Sequence, residues 1–306
     1  MSNSIASEEV LLLDGGIATE LQRAGLSVQS PWWATRALLT EANRRILQSV
    51  HEAYLAAGAR VITANTFRAN LRTLRGTRLD DAGRAWMVHA AIGVADAARR
   101  EARVPDAWIA GSIGHVEDCY RPDAVPPDDE LRAEHGWLVR ELSRAGVELF
   151  LIETMNTIRE ARIALEQVLT AGGRAWVSFV CAEDGMLLSG EPLTGAVHAV
   201  QRDGAEAVLV NCTSPTGTEV AMRALCRGRA GLIGAYPNIE DRTGLPPYEH
   251  VDRALPAALG PDEFAELVFR WRADYGLDII GGCCGTSPAH LAAANRLLSG
   301  SISGRR

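Results

Sequence analysis

The sequence predicts an α/β fold in the form of one (β/α)8 TIM barrel, with extended βα loops roofing its C-terminal face. Eight short apolar runs alternate with segments of helical periodicity. The length of 306 residues and the hydrophobic content of 47% suffice for one large core. We therefore expect a single domain over residues 1–306, with a core of about residues 9–298 and frayed termini.

The apolar runs define the predicted strands, and the segments between them define the helices. The strands are predicted at residues 10–13, 61–64, 108–112, 149–153, 175–180, 207–211, 231–235 and 277–281. Between strands, apolar residues recur at helical spacing, as in Ile46, Val50 and Tyr54. Glycines that suit a left-handed helix stop lie shortly before four of the strands, at Gly58, Gly146, Gly172 and Gly204. This order predicts a repeated βα unit.

Three connections that follow strands are too long to be simple turns. They span residues 22–39, 114–129 and 236–259, after the first, third and seventh strands. All three are predicted on the face where functional loops of such barrels lie. We call them the roof loops and expect them to cover a pocket.

The charge balance and composition exclude several kinds of partner. The net charge is −7, and the basic residues form no run longer than a pair, which argues against nucleic acid and against a membrane surface. The first ten residues lack a basic region followed by an apolar one, and no apolar stretch is long enough to span a bilayer. We therefore expect a cytoplasmic protein that acts on small molecules. The sequence does not indicate how many copies of the chain assemble.

Four of the six cysteines follow predicted strands, and three of them are the candidate metal ligands. Cys212 comes directly after the sixth strand, and the glycine-flanked pair Cys283 and Cys284 follows the eighth. Thiolates at the carboxyl edge of one sheet can converge on zinc and leave its fourth position open, which is typical of catalysis. The alternatives are a closed zinc site, for which Cys181 is the nearest further ligand, or unrelated buried cysteines.

The cysteine segments resemble those of the homocysteine S-methyltransferase family, in which a cysteine after one strand and a later Gly-Gly-Cys-Cys segment hold zinc. Cys212, Cys283 and Cys284 match these positions, and the resemblance runs from Asp14 to Pro288. It implies that zinc activates a substrate thiol for methylation, since metal binding lowers the pKa of a thiol.

Two carboxylates at strand ends are candidate ligands for an amino-acid substrate. Asp14 begins Asp-Gly-Gly after the first strand, and Glu153 ends the fourth. Carboxylates accept from an amine, and the backbone at Gly15 and Gly16 allows amides to approach a substrate carboxylate. Both segments resemble the family's site for the homocysteine amine. The alternatives are a turn cap for Asp14 and an internal ion pair for Glu153.

Two further polar residues are candidates at strand ends. Thr66 lies in a segment similar to the family's Thr-Asn-Thr-aromatic sequence, and Asn211 precedes Cys212. These side chains are expected to contact substrate or to orient the metal ligands. Hydrogen bonding at the barrel end is the alternative.

Aromatic residues near the roof loops are candidates for the methyl-donor site. The segment with Trp32 and Trp33 resembles the family's proline-tryptophan loop, and Phe67 and Tyr120 are further candidates. An aromatic face attracts a sulfonium or ammonium cation. Packing of the roof is the alternative. Segment 115–120 departs from the family's usual sequence and leaves the identity of the donor, and of the acceptor, open.

Together these features predict a zinc-dependent S-methyltransferase that moves a methyl group to the homocysteine thiolate and forms methionine. The chain offers no room beyond the eighth βα unit for a folate or cobalamin domain, so we expect S-methylmethionine or S-adenosylmethionine as the donor. One alternative is the same chemistry on another thiol or on a selenol. Another is a zinc-binding or redox-responsive barrel without turnover.

Overall fold

A computed structural model describes residues 10–246 and 251–303. It contains eight strands, whose bounds lie within two residues of the predicted ones. They are β1 (Leu11–Leu12), β2 (Val61–Ala64), β3 (Trp108–Ile113), β4 (Leu149–Met155), β5 (Arg174–Phe179), β6 (Ala207–Asn211), β7 (Leu232–Tyr236) and β8 (Ile279–Ile280). The eight predicted strands are confirmed.

Helices separate the strands in the predicted order. They are α1 (Ile17–Arg23), α2 (Glu41–Ala56), α3 (Leu71–Arg75), α4 (Asp81–Glu101), α5 (Asp128–Arg144), α6 (Ile158–Thr170), α7 (Leu193–Asp203), α8 (Pro215–Arg227), α9 (Pro261–Tyr275) and α10 (Pro288–Ser303). Short 3-10 helices lie within two roof loops, at Trp33–Leu38 and Pro122–Ala124. The four predicted glycine stops have φ between 76° and 117°, a backbone conformation that glycine adopts without steric cost.

The eight strands form one parallel sheet that closes on itself. Neighbours pair in the order β1-β8-β7-β6-β5-β4-β3-β2. A parallel bridge between Leu13 and Val61 joins the two ends, and the Arg60 amide donates to the Leu12 carbonyl at 2.8 Å. The predicted TIM barrel is therefore confirmed.

Alternation along the strands sorts side chains into two layers. In β4, Leu149 and Leu151 belong to the barrel interior, whereas Phe150 and Ile152 pack against the surrounding helices. Successive side chains of a strand point to opposite faces. The next inward position of β4 is Glu153, so the alternation that fills the core delivers a carboxylate to the barrel mouth.

The predicted bounds of the domain core can be compared with the residues that the structure describes. Helix α10 continues to Ser303, so regular structure extends past the predicted core end at residue 298. The predicted core start at residue 9 and the last three residues lie outside the described ranges. Organisation as a single domain stays a prediction. Within residues 10–246 and 251–303, no helix is both long and apolar enough to cross a bilayer.

Candidate metal and substrate site

The three cysteines predicted as metal ligands lie together at the barrel mouth. The Sγ atom of Cys212 lies 2.6 Å from that of Cys283 and 3.8 Å from that of Cys284, and the latter two are 3.9 Å apart. Among the described residues, this is the one group of three or more Cys, His, Asp or Glu side chains close enough to share a metal ion. We call it the thiol cluster.

The backbone around the thiol cluster is tightly constrained. Cys212 has φ of 52°, in the left-handed region that non-glycine residues seldom adopt. A Cβ atom at Gly282 would lie 2.2 Å from the Thr286 hydroxyl, and one at Gly281 would lie 2.8 Å from the Leu13 Cβ. Neither of these glycines has a positive φ. They are needed here because the neighbouring chain approaches closely, not because the backbone must turn.

The spacing of the sulfurs can be compared with that around a tetrahedral metal. Zinc–sulfur bonds of about 2.3 Å at tetrahedral angles place thiolates about 3.8 Å apart. Two of the three separations already match, and the 2.6 Å one would open by about 1.2 Å. Hydrogen bonds from Cys212 and Cys283 lower the pKa of Cys284 well below its ordinary value, whereas the pKa values of Cys212 and Cys283 are raised, so Cys284 is the first of the three to ionise. The donor set therefore fits a thiophilic cation.

Cys181, the alternative fourth ligand, lies outside the thiol cluster. Its side chain is 4% exposed and belongs to the layer between barrel and helices. Burial raises the pKa of this thiol to about 12, so it stays protonated at neutral pH. Cys181 is not among the described side chains that lie close enough together to share a metal ion, so it supplies no fourth ligand in this arrangement.

Asp14 is held at the end of β1 by Thr63 of β2. The Thr63 amide donates to Oδ2 of Asp14 at 2.7 Å, and the Thr63 hydroxyl donates to the same oxygen at 3.0 Å. Burial raises the pKa of Asp14 well above its ordinary value, the hydrogen bonds from Thr63 oppose this shift, and nearby Glu153 adds to it. Asp14 is thus a fixed, desolvated acceptor that gains from a cationic partner.

Glu153 faces the same space from β4. The Ser112 hydroxyl donates to Oε1, and the Tyr236 hydroxyl donates to Oε2 at 3.1 Å. Desolvation raises the pKa of Glu153 to about 7, although these two hydrogen bonds oppose the shift. We call Asp14 and Glu153 the carboxylate pair. Two desolvated acids, of which Glu153 raises the pKa of Asp14, favour a cation such as an ammonium group.

The glycines after Asp14 allow other segments of the chain to approach closely. A Cβ atom at Gly15 would lie 2.8 Å from the Tyr54 ring, and one at Gly16 would lie 2.7 Å from the Cys283 carbonyl oxygen. The Gly16 amide donates to the Thr286 hydroxyl at 3.2 Å. These glycines therefore let β1 approach the thiol cluster closely, and their contact with a substrate carboxylate stays a prediction.

Thr66 and Asn211 are buried and bonded to neighbouring strand ends. The Thr66 hydroxyl donates to the Ser112 carbonyl at 2.7 Å. Asn211 Oδ1 accepts from the Thr154 amide at 3.0 Å and from the Ser178 hydroxyl at 2.7 Å. Contact of either residue with substrate stays a prediction. Their present bonds orient the ends of β3, β4 and β6, and through β6 they orient Cys212.

The two tryptophans have different surroundings. Trp32 packs against a side cluster of apolar residues between α1, α2 and α4, which includes Leu21 and Leu47. The Arg68 guanidinium lies 4.8 Å from the centroid of the Trp33 ring and 5.6 Å from that of Phe67. The Arg68 guanidinium thus already makes cation–π contacts with both rings. Contact of these rings with a methyl donor stays a prediction.

Tyr120 lies near enough to the thiol cluster for the sulfurs to affect its phenol. Burial raises the pKa of its phenol well above the ordinary value, and the sulfurs of Cys212, Cys119 and Cys284 add to the shift. Its backbone amide donates to the Asp118 carboxylate at 2.9 Å, which fixes the turn that carries it. Among the predicted donor-site residues, Tyr120 is thus the one whose pKa is affected by the thiol cluster.

Some residues of the site were not among the predicted site residues. Ser112 and Tyr236 occupy inward positions two residues beyond the interior positions 110 and 234, so strand alternation was the signal that could have found them. Glu240 lies in the third roof loop near Cys284, and desolvation raises its pKa to about 7. No periodic pattern marks Glu240, because it lies in a loop.

Comparison with known proteins gives a consistent result. Residues 11–298 match the family model described as homocysteine S-methyltransferase. Homocysteine S-methyltransferase 4 of Zea mays is 30% identical over 93% of this chain and 88% of the maize protein. Selenocysteine Se-methyltransferase of Brassica oleracea var. italica is 24% identical over 94% of this chain and 88% of its own length.

A solved structure has the same fold. The crystal structure of the homocysteine methyltransferase MmuM from Escherichia coli, in its metallated form, aligns with a TM-score of 0.80. The two sequences are 26% identical, and the alignment covers 94% of this chain and 96% of the bacterial one. The likeness thus extends through the whole barrel and its mouth.

Proposed function

The chain belongs to the homocysteine S-methyltransferase family and is a methyltransferase, and from this premise we propose that it is zinc-dependent and methylates homocysteine. The donor in this proposal is a sulfonium compound, S-methylmethionine or S-adenosylmethionine, and the product is methionine. The partners are thus two small molecules. The observation that carries the proposal is the convergence of three sulfurs beside a desolvated carboxylate pair.

Zinc is the metal we assign to the thiol cluster. Cys212, Cys283 and Cys284 would hold it, and their sulfur chemistry and spacing support this choice. When bound, zinc supplies an open position for the substrate sulfur and lowers the pKa of the substrate thiol. No protein base is then required to keep that thiol ionised near neutral pH.

The carboxylate pair would hold the amino group of homocysteine. Asp14 and Glu153 are fixed by hydrogen bonds before substrate arrives, so little side-chain entropy is lost on binding. An ammonium group between them favours their charged forms and offsets the desolvation that raises both pKa values. The pair thereby sets the direction in which the substrate thiol extends.

Methyl transfer would then be an in-line displacement. The acceptor thiolate forms a new carbon–sulfur bond as the methyl–sulfur bond of the donor breaks, and the electron pair of that bond neutralises the sulfonium. The thiol proton has left to solvent beforehand. Positioning and the activated nucleophile account for the catalysis. Tyr120 and Trp33 would shield the reacting atoms from water.

A selenol acceptor is the second candidate, and the similarity to a selenocysteine methyltransferase favours it. A selenol would use the same metal position and the same carboxylate pair. The barrel without turnover is a further alternative, because vicinal thiols oxidise readily once metal is lost. All six cysteines are free in the structure, and we place the protein in the reducing cytoplasm, where they stay so.

The test is methyl transfer by the purified, zinc-loaded protein. Donors with an isotopically labelled methyl group are supplied with homocysteine or selenocysteine, and labelled products are measured by mass spectrometry. We expect labelled methionine from homocysteine, and its loss after zinc is removed by a chelator and its return after zinc is restored. Transfer only to selenocysteine would assign the second acceptor, and absence of transfer with every pair would reject the enzyme.

A further inference from the structure

Strand β4 is distorted at the residue that follows Glu153. Residues 149–152 pair one for one with β5, but the next pair joins Met155 to Phe179, so Glu153 and Thr154 together stand against one residue of β5. Thr154 has φ of 62° in this bulge. A β-branched residue seldom adopts that conformation, because its side chain then crowds the backbone. Bulges beside functional sites commonly redirect a side chain, and this one adjoins the acceptor carboxylate.

Cys212, at the end of β6, has the same backbone feature. Its φ is 52°, and its amide donates to the Tyr236 carbonyl at the long distance of 3.3 Å. Among the described residues, four other than glycine have a positive φ, and Thr154 and Cys212 are two of them. Such strain persists only where the surrounding structure holds it. The metal ligand and the neighbour of Glu153 therefore both require a support.

The Asn211 side chain joins these two positions. Asn211 directly precedes Cys212 and is fully buried. Its Oδ1 atom accepts from the Thr154 amide at 3.0 Å, and its Nδ2 atom donates to the Thr154 hydroxyl at 2.8 Å. The Ser178 hydroxyl of β5 donates to the same Oδ1 at 2.7 Å. One amide side chain thus reaches from β6 across β5 to the bulge of β4.

These hydrogen bonds replace what the bulge removes. The Thr154 amide lies where the pairing of β4 with β5 is interrupted, and a buried amide without an acceptor destabilises a fold. Asn211 supplies the acceptor. Thr154 directly follows Glu153 in the chain. Because Asn211 directly precedes Cys212, its two bonds to Thr154 fix the acceptor carboxylate relative to the metal ligand.

We propose that Asn211 is a positioning residue, which fixes the span between the Glu153 carboxylate and the Cys212 sulfur and thereby selects the length of the amino-acid acceptor. This role rests on the proposed function, in which the acceptor amine binds at the carboxylate pair and the acceptor thiol binds at the thiol cluster. An acceptor held at both ends must match the span between them. Homocysteine and cysteine differ by one methylene, and a fitted site distinguishes such pairs by about tenfold or more.

The test measures how strongly each of these thiols binds when the span is loosened. Dissociation constants of homocysteine and cysteine are determined by calorimetry on the zinc-loaded protein without a methyl donor. In the unsubstituted protein they should differ by about tenfold or more. The shorter side chain in Asn211→Ser no longer reaches Thr154, so the ratio of the two constants should fall by about threefold or more. Zinc content, measured by mass spectrometry, should stay unchanged because all three sulfurs remain.

Variants of Thr154 separate the hydrogen bonds from general packing. Thr154→Ser keeps the hydroxyl and should keep the ratio. Thr154→Gly removes the hydroxyl and adopts a positive φ without strain, so it should loosen the bulge and lower the ratio as Asn211→Ser does. Arg103→Gly is the matched control, since this exposed residue has φ of 56° between α4 and β3, at the opposite end of the barrel. It should leave the ratio unchanged.

Several outcomes would overturn the role of Asn211. They are an unchanged ratio in Asn211→Ser, loss of its zinc, equal losses in Thr154→Ser and Thr154→Gly, and equal binding of the two thiols by the unsubstituted protein. If Asn211→Ser does not fold, an unchanged ratio in Thr154→Gly would overturn it instead. A preference for cysteine that falls in Asn211→Ser would support the role of Asn211 and reject homocysteine as the acceptor. A preference for homocysteine that falls in this variant, without methyl transfer by the unsubstituted protein, would reject the proposed reaction alone.

Discussion

The barrel mouth and the roof loops hold polar groups in different ways. In the mouth, Asp14 and Glu153 lie at strand ends, and groups on other strands of the barrel donate to their oxygens. In the roof, Arg68 stacks on Trp33, and Glu240 is only loosely bonded to Arg242. The parallel sheet fixes the first set, whereas the second depends on contacts between loops. The polar groups of the mouth are thus held by more hydrogen bonds from the sheet than those of the roof.

The largest effect is expected at the thiol cluster, on which both regions depend. Cys283→Ala removes one of three ligands, so the protein should lose most of its zinc and about a hundredfold or more of its activity. Metal content by mass spectrometry and methyl transfer are the measurements. Cys226→Ala is the control, since this sulfur lies on α8 and contacts the Tyr275 carbonyl. Full zinc content in Cys283→Ala would refute the ligand assignment.

The next effect concerns the barrel mouth. Asp14→Asn and Glu153→Gln should each weaken the acceptor by about tenfold to a hundredfold, because a charge-assisted hydrogen bond to its amine is lost. Zinc content and donor affinity should stay unchanged, since neither carboxylate is a proposed metal ligand or roof residue. Steady-state KM values for both substrates separate these outcomes. A loss confined to the donor would reverse the assignment of the two regions.

The pH dependence of ligand binding tests whether Glu153 binds an ammonium group. With its pKa raised to about 7, Glu153 is mostly neutral at pH 6 and mostly charged at pH 8. Affinity for an ammonium ligand should therefore rise by up to about tenfold over this range. Norleucine, an amino acid without sulfur, avoids titration of a substrate thiol. The slope should flatten in Glu153→Gln, and an equal slope in that variant would show that another group titrates.

The smallest effect is expected in the roof. Trp33→Leu should weaken a sulfonium donor more than a neutral analogue by about 0.5–2 kcal/mol, the range of cation–π contacts. Arg68 already lies over this ring, which favours the lower end. Trp32→Leu should instead lower thermal stability with little donor selectivity, because Trp32 packs against the apolar side cluster. Equal losses for charged and neutral ligands in Trp33→Leu would assign Trp33 to packing alone.

Much of the site could be predicted because strand ends are marked in the sequence. Cys212 directly follows one apolar run and Glu153 ends another, and closure of the sheet brings such positions to one rim. The partners of Glu153 were accessible to the same logic, since Ser112 and Tyr236 share its inward alternation. The close packing at Gly281 and Gly282 was not predicted, because it is a property of neighbouring chain segments.

By itself, the sequence determined the eight-stranded barrel, its helix stops and the thiols at its mouth, because hydrophobic periodicity and glycine placement are local signals. Only the tertiary structure decided that Trp32 packs against the apolar side cluster and that Trp33 stacks on Arg68. It also decided that Glu240 lies near Cys284. These residues lie in loops, where no periodic pattern relates a side chain to its neighbours. Their contacts join segments far apart in the chain, so they exist only once the barrel has closed.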